Sequence, residues 1–299
     1  MRSVKWSGQG SRAIAAGLAI VIILAVQLSW PRAISTQEIP PPKIEQEFSK
    51  QEKIYRSQGA AVPQGYVIDR GLSGYAESLP TGFCDELANL NSSDRWLDIG
   101  AGEGQAILDY YASVNAQKCA RAGDKARAVA LSIEDRRTDK WRQQAASLED
   151  GRISYLFGKR LSQYSLGELG KFKLITDVFG GFSYTEHLSL FVDRVLSLLE
   201  VGGNFFTLVP GVHLANAKDK LGILYLTELE DAIGRPEKVC SWLKKATCAQ
   251  VTCESKSDWK RPTELIHVRK TCSDTSVPRM KLVEFEAGYP PTRRFQLEQ

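Results

Sequence analysis

Short apolar runs alternate with segments of helical period between residues 96 and 209. Trp96-Leu97-Asp98-Ile99 predicts a strand that runs into a Gly-rich turn, and 105–114 predicts the helix after it, with Ile107, Leu108 and Tyr111 on one face. Val129 to Ile133 reads as a second strand closed by Glu134-Asp135, and a polar helix comes next over about 137–149. Ile153 to Phe157 and Phe172 to Val178 read as the third and fourth strands. The clearest helix carries Leu188, Phe191, Val192, Val195, Leu196 and Leu199 as one apolar stripe, with Ser183 and Glu186 at capping-box spacing before it and Gly202-Gly203 as its stop. Asn204 to Val209 is continuously apolar, as a buried strand should be. Leu221 to Ile233 suits another helix, and the Cys-rich remainder alternates weakly, as a pair of antiparallel edge strands would. The sum is an α/β chain with a doubly wound, Rossmann-like, mostly parallel sheet and an antiparallel edge.

The N-terminus breaks this pattern. Arg2, Lys5 and Arg12 are basic, and Ala13 to Trp30 carries no charge. At about 1.5 Å per residue that run approaches the thickness of a bilayer core, so a hydrophobic helix is expected ahead of the folded domain. Residues 1–30 therefore read as a membrane anchor or a signal segment. The run is long for a cleaved signal, yet Ala33 and Ser35 could mark a cleavage site. As a single uncleaved pass, the basic flank leaves the chain beyond Trp30 on the non-cytoplasmic side. Residues 31–61, with Pro40-Pro41-Pro42 and then a charged stretch, read as a polar spacer running into a short helix, and the folded domain is expected over 62–290.

Net charge changes the picture little. An excess of +4, from 39 basic and 35 acidic residues that interleave, gives no footprint for nucleic acid. Six cysteines, Cys84, Cys119, Cys240, Cys248, Cys253 and Cys272, all lie after the apolar run. Their even number permits disulfides, buried free thiols remain open, and the spacings are unlike zinc pairs, so no metal is expected.

The chemistry concentrates in Asp98-Ile99-Gly100-Ala101-Gly102-Glu103-Gly104, after a strand and before a helix. Side-chain-free positions let a ligand approach the backbone, and amides at a helix start face it. The dinucleotide fingerprint requires a sixth-position glycine where Gln105 stands. A carboxylate two residues before the first glycine would repel a pyrophosphate but can accept hydrogen bonds from a cationic amine, such as that of a methionine moiety.

Over 94–110, and in order to about residue 209, the sequence resembles the class I S-adenosylmethionine-dependent methyltransferase family. The resemblance implies S-adenosylmethionine as cofactor. Asp98, Gly100, Ala101, Gly102 and Gly104 would then surround its methionine end, and Glu134 would take the ribose hydroxyls. Arg160 and Leu161 would lie near the adenine, and Asp177 at the fourth strand's end would border the transfer site. Phe157-Gly158-Lys159-Arg160 departs from the family by lacking an acid near the adenine, and Gly104 to Glu134 is about ten residues longer than usual, with 115–127 expected to loop out. Asp177, Tyr184 and His187 are the candidates for a base. The implied activity is methyl transfer to an acceptor the sequence does not identify: a small molecule, a lipid near residues 13–30, or a protein side chain, with nucleic acid least favoured. The alternative is an exported or membrane-anchored, non-catalytic domain of the same fold. The charge pattern favours the non-cytoplasmic side, and cofactor supply favours the cytoplasm.

Overall fold

The computed structural model describes residues 42–56, 70–112, 119, 125–149, 151–213, 223–225, 227–256, 263–288 and 291–299. The apolar run 13–30 lies outside these residues, as does most of the expected insertion. Among the described residues no helix is long and apolar enough to cross a membrane.

Five strands run parallel: β1 (Arg95–Ile99), β2 (Arg127–Leu131), β3 (Ile153–Leu156), β4 (Phe172–Asp177) and β5 (Leu199–His213). Two more, β9 (Ala249–Lys256) and β10 (Thr263–Lys270), close the edge as an antiparallel hairpin, β10 against β5. The order is β3-β2-β1-β4-β5-β10-β9, and β6 (Ile223–Tyr225) pairs with the end of β5. This is the doubly wound sheet with an antiparallel edge that the alternation predicts. The chain moves outward one way from β1 through β2 to β3, then returns to β4 on the other side. The crevice between the C-terminal ends of β1 and β4 is therefore the switch point, where ligands bind in such sheets.

Strand alternation gives the sheet two buried faces. On one, α8 (Leu188–Leu198) lays its predicted stripe against Leu97, Ile175 and Phe205. On the other, α2 (Leu72–Ser78), α3 (Phe83–Ala88) and α4 (Gln105–Ala112) bury Leu72, Leu87 and Ile107 against Trp96 and Phe206. α5 (Asp139–Ser147) crosses from β2 to β3, capped by the Thr138 hydroxyl accepting from the Trp141 amide. Short α6 (Leu166–Leu169) and α7 (Gly181–Tyr184) flank β4, and α9 (Val239–Leu243) precedes β9. The buried Lys270 Nζ donates to the carbonyls of Leu196 and Leu199 at 2.8 and 3.1 Å, placing a cation at the C-terminal end of α8.

Several expectations change. α8 starts at Leu188 with His187 as an N-cap that makes no side-chain capping bond, so Ser183 and Glu186 form no capping box. Gly202-Gly203 lie inside β5, where its register against β4 slips, rather than ending the helix. The described residues of the 221–233 stretch form no helix. They carry β6 and β7 (Thr227–Glu230), because Thr227 and Leu229 are buried and alternate with Glu228 and Glu230. A second sheet is built in the order β11 (Met280–Glu286), β12 (Thr292–Leu297), β7, β8 (Pro236–Glu237).

The folded body also extends beyond 62–290 at both ends. α1 (Pro42–Arg56) packs on β11 through Phe48 and Phe285, ring centroids 4.7 Å apart, and Gln51 exchanges two hydrogen bonds with the Gly288 backbone. All six cysteines are paired, as Cys84–Cys119, Cys240–Cys253 and Cys248–Cys272.

Candidate functional site

Gly100, Gly102 and Gly104 have φ of 74°, 57° and 80°, the left-handed region that favours glycine. Two of the three are also required by packing. A Cβ on Gly100 would come within 2.3 Å of the Gly180 Cα, and one on Gly104 within 2.4 Å of the Trp141 ring. The turn after β1 is thus pressed against the turn after β4 and against α5. Tyr155 holds it from β3, donating its hydroxyl to the Gly102 carbonyl at 2.5 Å. The Gly100 and Ala101 amides donate to the Leu131 carbonyl, and the Gly104 amide to that of Ala101. The amides of Gly102 and Glu103 have no acceptor among the described residues.

Asp98 does not face the crevice. It is fully buried on the α2 face, where the Tyr75 hydroxyl lies 3.0 and 2.9 Å from its two oxygens and the Thr176 hydroxyl donates at 2.7 Å. Burial pushes its pKa up to about 7, against the hydrogen bonds from Thr176 and Tyr75, which favour the charged form. Burial and the adjacent Asp98 charge push Tyr75 up in turn. Asp98 thus forms a strut from β1 to α2.

Asp177 ends β4 on the opposite face. Its oxygens accept the amides of Gly180 and Phe182, each at 2.9 Å, and so cap the turn that starts α7. Burial pushes it up to about 7, and Asp98 adds to the shift. That turn contains Phe179 at φ 56°, a strained conformation for a non-glycine residue. Arg70 lies over the Phe179 ring, 4.5 Å from its centroid. Tyr184, in α7, is pushed up to about 12 by burial. His187 is exposed.

Beyond β2 and β3 the surface is apolar where polar residues would be the default. Ile133 and Phe157 are 40% and 44% exposed, and their tips are tied by the Gly158 amide donating to the Ile133 carbonyl at 2.9 Å. Glu134 stands beside them, half-exposed and 3.0 Å from Arg136, and Arg137 lies over the Phe157 ring at 5.0 Å. Arg160 turns away from this surface. It pairs with Glu186 at 2.6 Å and Glu52 at 3.4 Å and lines a cavity of about 310 Å³ with Phe48, Tyr184 and Phe285. Leu161 is buried in the α8-side core. Ala101, Gly102, Glu134 and the Asp177 turn thus lie just past the C-terminal ends of β1, β2 and β4, whereas Asp98 is held by Tyr75 and Thr176, Arg160 by Glu52 and Glu186, and Leu161 by the core.

Three contributors escaped the sequence reading. Tyr75 and Arg70 come from a segment without a local motif. Arg293, 2% exposed on β12, donates to the Thr185 carbonyl at 2.6 Å and to the Thr227 hydroxyl, fixing α7 from the second sheet. No short-range pattern announces a partner 108 residues away.

No protein-family model and no curated protein matches the sequence. Among solved structures, the chain is similar to a phosphoethanolamine N-methyltransferase 2 of Haemonchus contortus in complex with S-adenosyl-L-methionine, at 10% identity and a TM-score of 0.43, covering 74% of this chain and 56% of that one. It is similar to an rRNA methylase from Streptococcus thermophilus at 13% identity and a TM-score of 0.38, over 63% of this chain and 94% of that one. A precorrin-6y C5,15-methyltransferase from Geobacter metallireducens gives 16% identity and a TM-score of 0.35, over 63% and 86%. The chain spans about half the length of the Haemonchus enzyme. Likeness this loose carries no argument alone, and the fold rests on strand order, the antiparallel edge hairpin and the glycine turn at the switch point. By these features the chain has the class I methyltransferase fold.

Proposed function

We propose that the chain binds S-adenosylmethionine at the switch point and transfers its methyl group to an acceptor not yet identified. The observation that carries this reading is the pair of amides at the tip of β1, Gly102 and Glu103, that have no acceptor among the described residues, with the Glu134 carboxylate just past the neighbouring strand. The fit is good for the nucleoside end: Glu134 can accept from two vicinal ribose hydroxyls, and Ile133 and Phe157 offer exposed apolar surface for an adenine. At the methionine end the Gly102 and Glu103 amides can donate to the α-carboxylate, while Asp98 is engaged by Tyr75 and Thr176. The cofactor supplies an activated methyl, and the chain's own work is alignment. Asp98 and Asp177 act as positioning residues. One fixes α2 to β1, and the other shapes the Phe179-Gly180-Gly181-Phe182 turn that borders the acceptor side. Tyr184, held protonated by burial, is suited to donate a hydrogen bond there.

Calorimetry on the full chain tests the reading. S-adenosylhomocysteine is expected to bind with roughly one-to-one stoichiometry, and Glu134→Gln to weaken it on the order of tenfold. No heat at saturating concentrations for the wild-type chain would overturn it. For localisation, the basic flank and the length of residues 13–30 support a single-pass anchor, and three disulfides favour an oxidising compartment for the domain. A reporter active only outside the cytoplasm, fused after Gln299, tests this side. An inactive reporter on a stably expressed fusion would refute it.

A further inference from the structure

Arg70 stands in the crevice as a cation with no anionic counterpart among the described residues. Its backbone is fixed: a Cβ on Gly71 would lie 2.4 Å from Asp109 Oδ2, and that carboxylate accepts the Leu72 amide at 3.0 Å, tying residues 71–72 to α4. Its guanidinium sits over the ring of Phe179, whose neighbour Gly180 touches Gly100. Arg70 thus stands between α4, to which residues 71–72 are tied through Asp109, and the turn after β4, over whose Phe179 ring its guanidinium lies.

The group is half-buried, and burial disfavours its charge. The side chains that act on it electrostatically are Tyr75 and Tyr184, with no carboxylate among them. The two carboxylates at the ends of β1 and β4 are occupied, Asp98 by hydroxyls and Asp177 by amides. Among the described residues, none accepts a hydrogen bond from Arg70. Other arginines here behave differently. Arg95 donates to the Leu169 carbonyl, and Arg294 pairs with Glu230 and Glu284. A partly desolvated guanidinium that offers five donors and meets only a ring face is costly unless an acceptor arrives from outside.

We propose that Arg70 receives an oxyanion of a ligand bound at the switch point, a carboxylate or a phosphate, in the paired geometry a planar guanidinium favours. The source is either the α-carboxylate of the cofactor or an acidic group of the methyl acceptor. The first source rests on the methyltransferase reading; the second needs only the crevice.

The test compares the full-length wild-type chain with Arg70→Gln and Arg70→Lys, using three probes: S-adenosylhomocysteine, 5′-methylthioadenosine, which lacks the amino-acid moiety, and inorganic phosphate added to the nucleoside-saturated chain. If the cofactor supplies the anion, Arg70→Gln weakens S-adenosylhomocysteine on the order of 10- to 100-fold while methylthioadenosine binds unchanged, and Arg70→Lys falls between. If the acceptor supplies it, both nucleosides bind Arg70→Gln as they bind wild type, and thermal stabilisation by phosphate is lost in the variant. Unchanged responses to all three probes overturn the proposal. So does equal weakening of both nucleosides, which marks general damage to the site. A wild-type chain that binds neither nucleoside sinks the methyltransferase reading, and phosphate stabilisation of wild type against Arg70→Gln then decides the proposal alone.

Discussion

Replacing Asp98 by asparagine separates the two roles this carboxylate could have. In the folded chain its pKa is about 7, against an ordinary value of 3.8. Between about pH 4 and pH 7 the unfolded chain gives up this proton and the folded chain keeps it. The resulting contribution to stability is fully present below about pH 4 and is lost as pH rises through about 7. Three pH units at about 1.4 kcal/mol each put the loss near 4 kcal/mol. The asparagine side chain does not titrate, and its amide oxygen can still accept from Thr176 and Tyr75. Its NH2 group can donate to the Tyr75 oxygen, so the strut survives in shape.

Urea unfolding of the full chain, followed by circular dichroism from about pH 4 to pH 8, provides the assay. Wild type should lose about 4 kcal/mol relative to Asp98→Asn across this window, and Asp177, which the Asp98 charge helps push up, shifts the difference in the same direction. S-adenosylhomocysteine affinity should change only a few-fold, because Asp98 reaches the crevice through α2 and not by contact. Parallel stability curves would refute the buried, proton-holding strut. Complete loss of binding on a stable Asp98→Asn chain would restore the direct amine contact that the sequence alone suggests.

Other perturbations probe the remaining supports. Removing Cys84–Cys119 by double substitution to Ser opens a loop of sequence separation 35; chain entropy puts the cost at about 4 kcal/mol, and an unchanged guanidinium midpoint would contradict it. Gly104→Ala drives a methyl into the Trp141 ring at a φ of 80°, costing roughly 1–3 kcal/mol, and Trp141→Leu in that background should recover part of the loss in melting temperature. Simple additivity of the two changes would deny the contact. Lys270→Met strips the last carbonyls of α8 of their donor, and amide exchange should accelerate at residues 195–199 before elsewhere. Uniform acceleration would mean Lys270 supports global stability alone.

Local periodicity made most of the architecture legible in the sequence. The α8 stripe, the five parallel strands and the edge hairpin each carry their own pattern within about 15 residues, and so does the glycine turn at the first strand's tip. The hidden features depend on partners far along the chain. Thr227 to Glu230 has the composition of a helix, and only pairing with β12, some 65 residues later, makes it a strand. Asp98 reads as a ligand group because a carboxylate beside a glycine turn is polar and near a strand end, and its partners inside the fold are not legible locally. Alternation along β1 aims it at the α2 face, and Tyr75, 23 residues upstream, then takes it. The same logic reverses the value of two glycines. Gly100 and Gly104 are required for close approach, but what approaches is the protein itself, Gly180 and Trp141. The crevice is therefore defined less by the motif's side chains than by the groups around it: two amides without acceptors among the described residues, a carboxylate just past the end of β2, and a guanidinium over an aromatic ring. Folding gives the carboxylate Arg136 as a partner, and the amides and the guanidinium are the groups a ligand would satisfy.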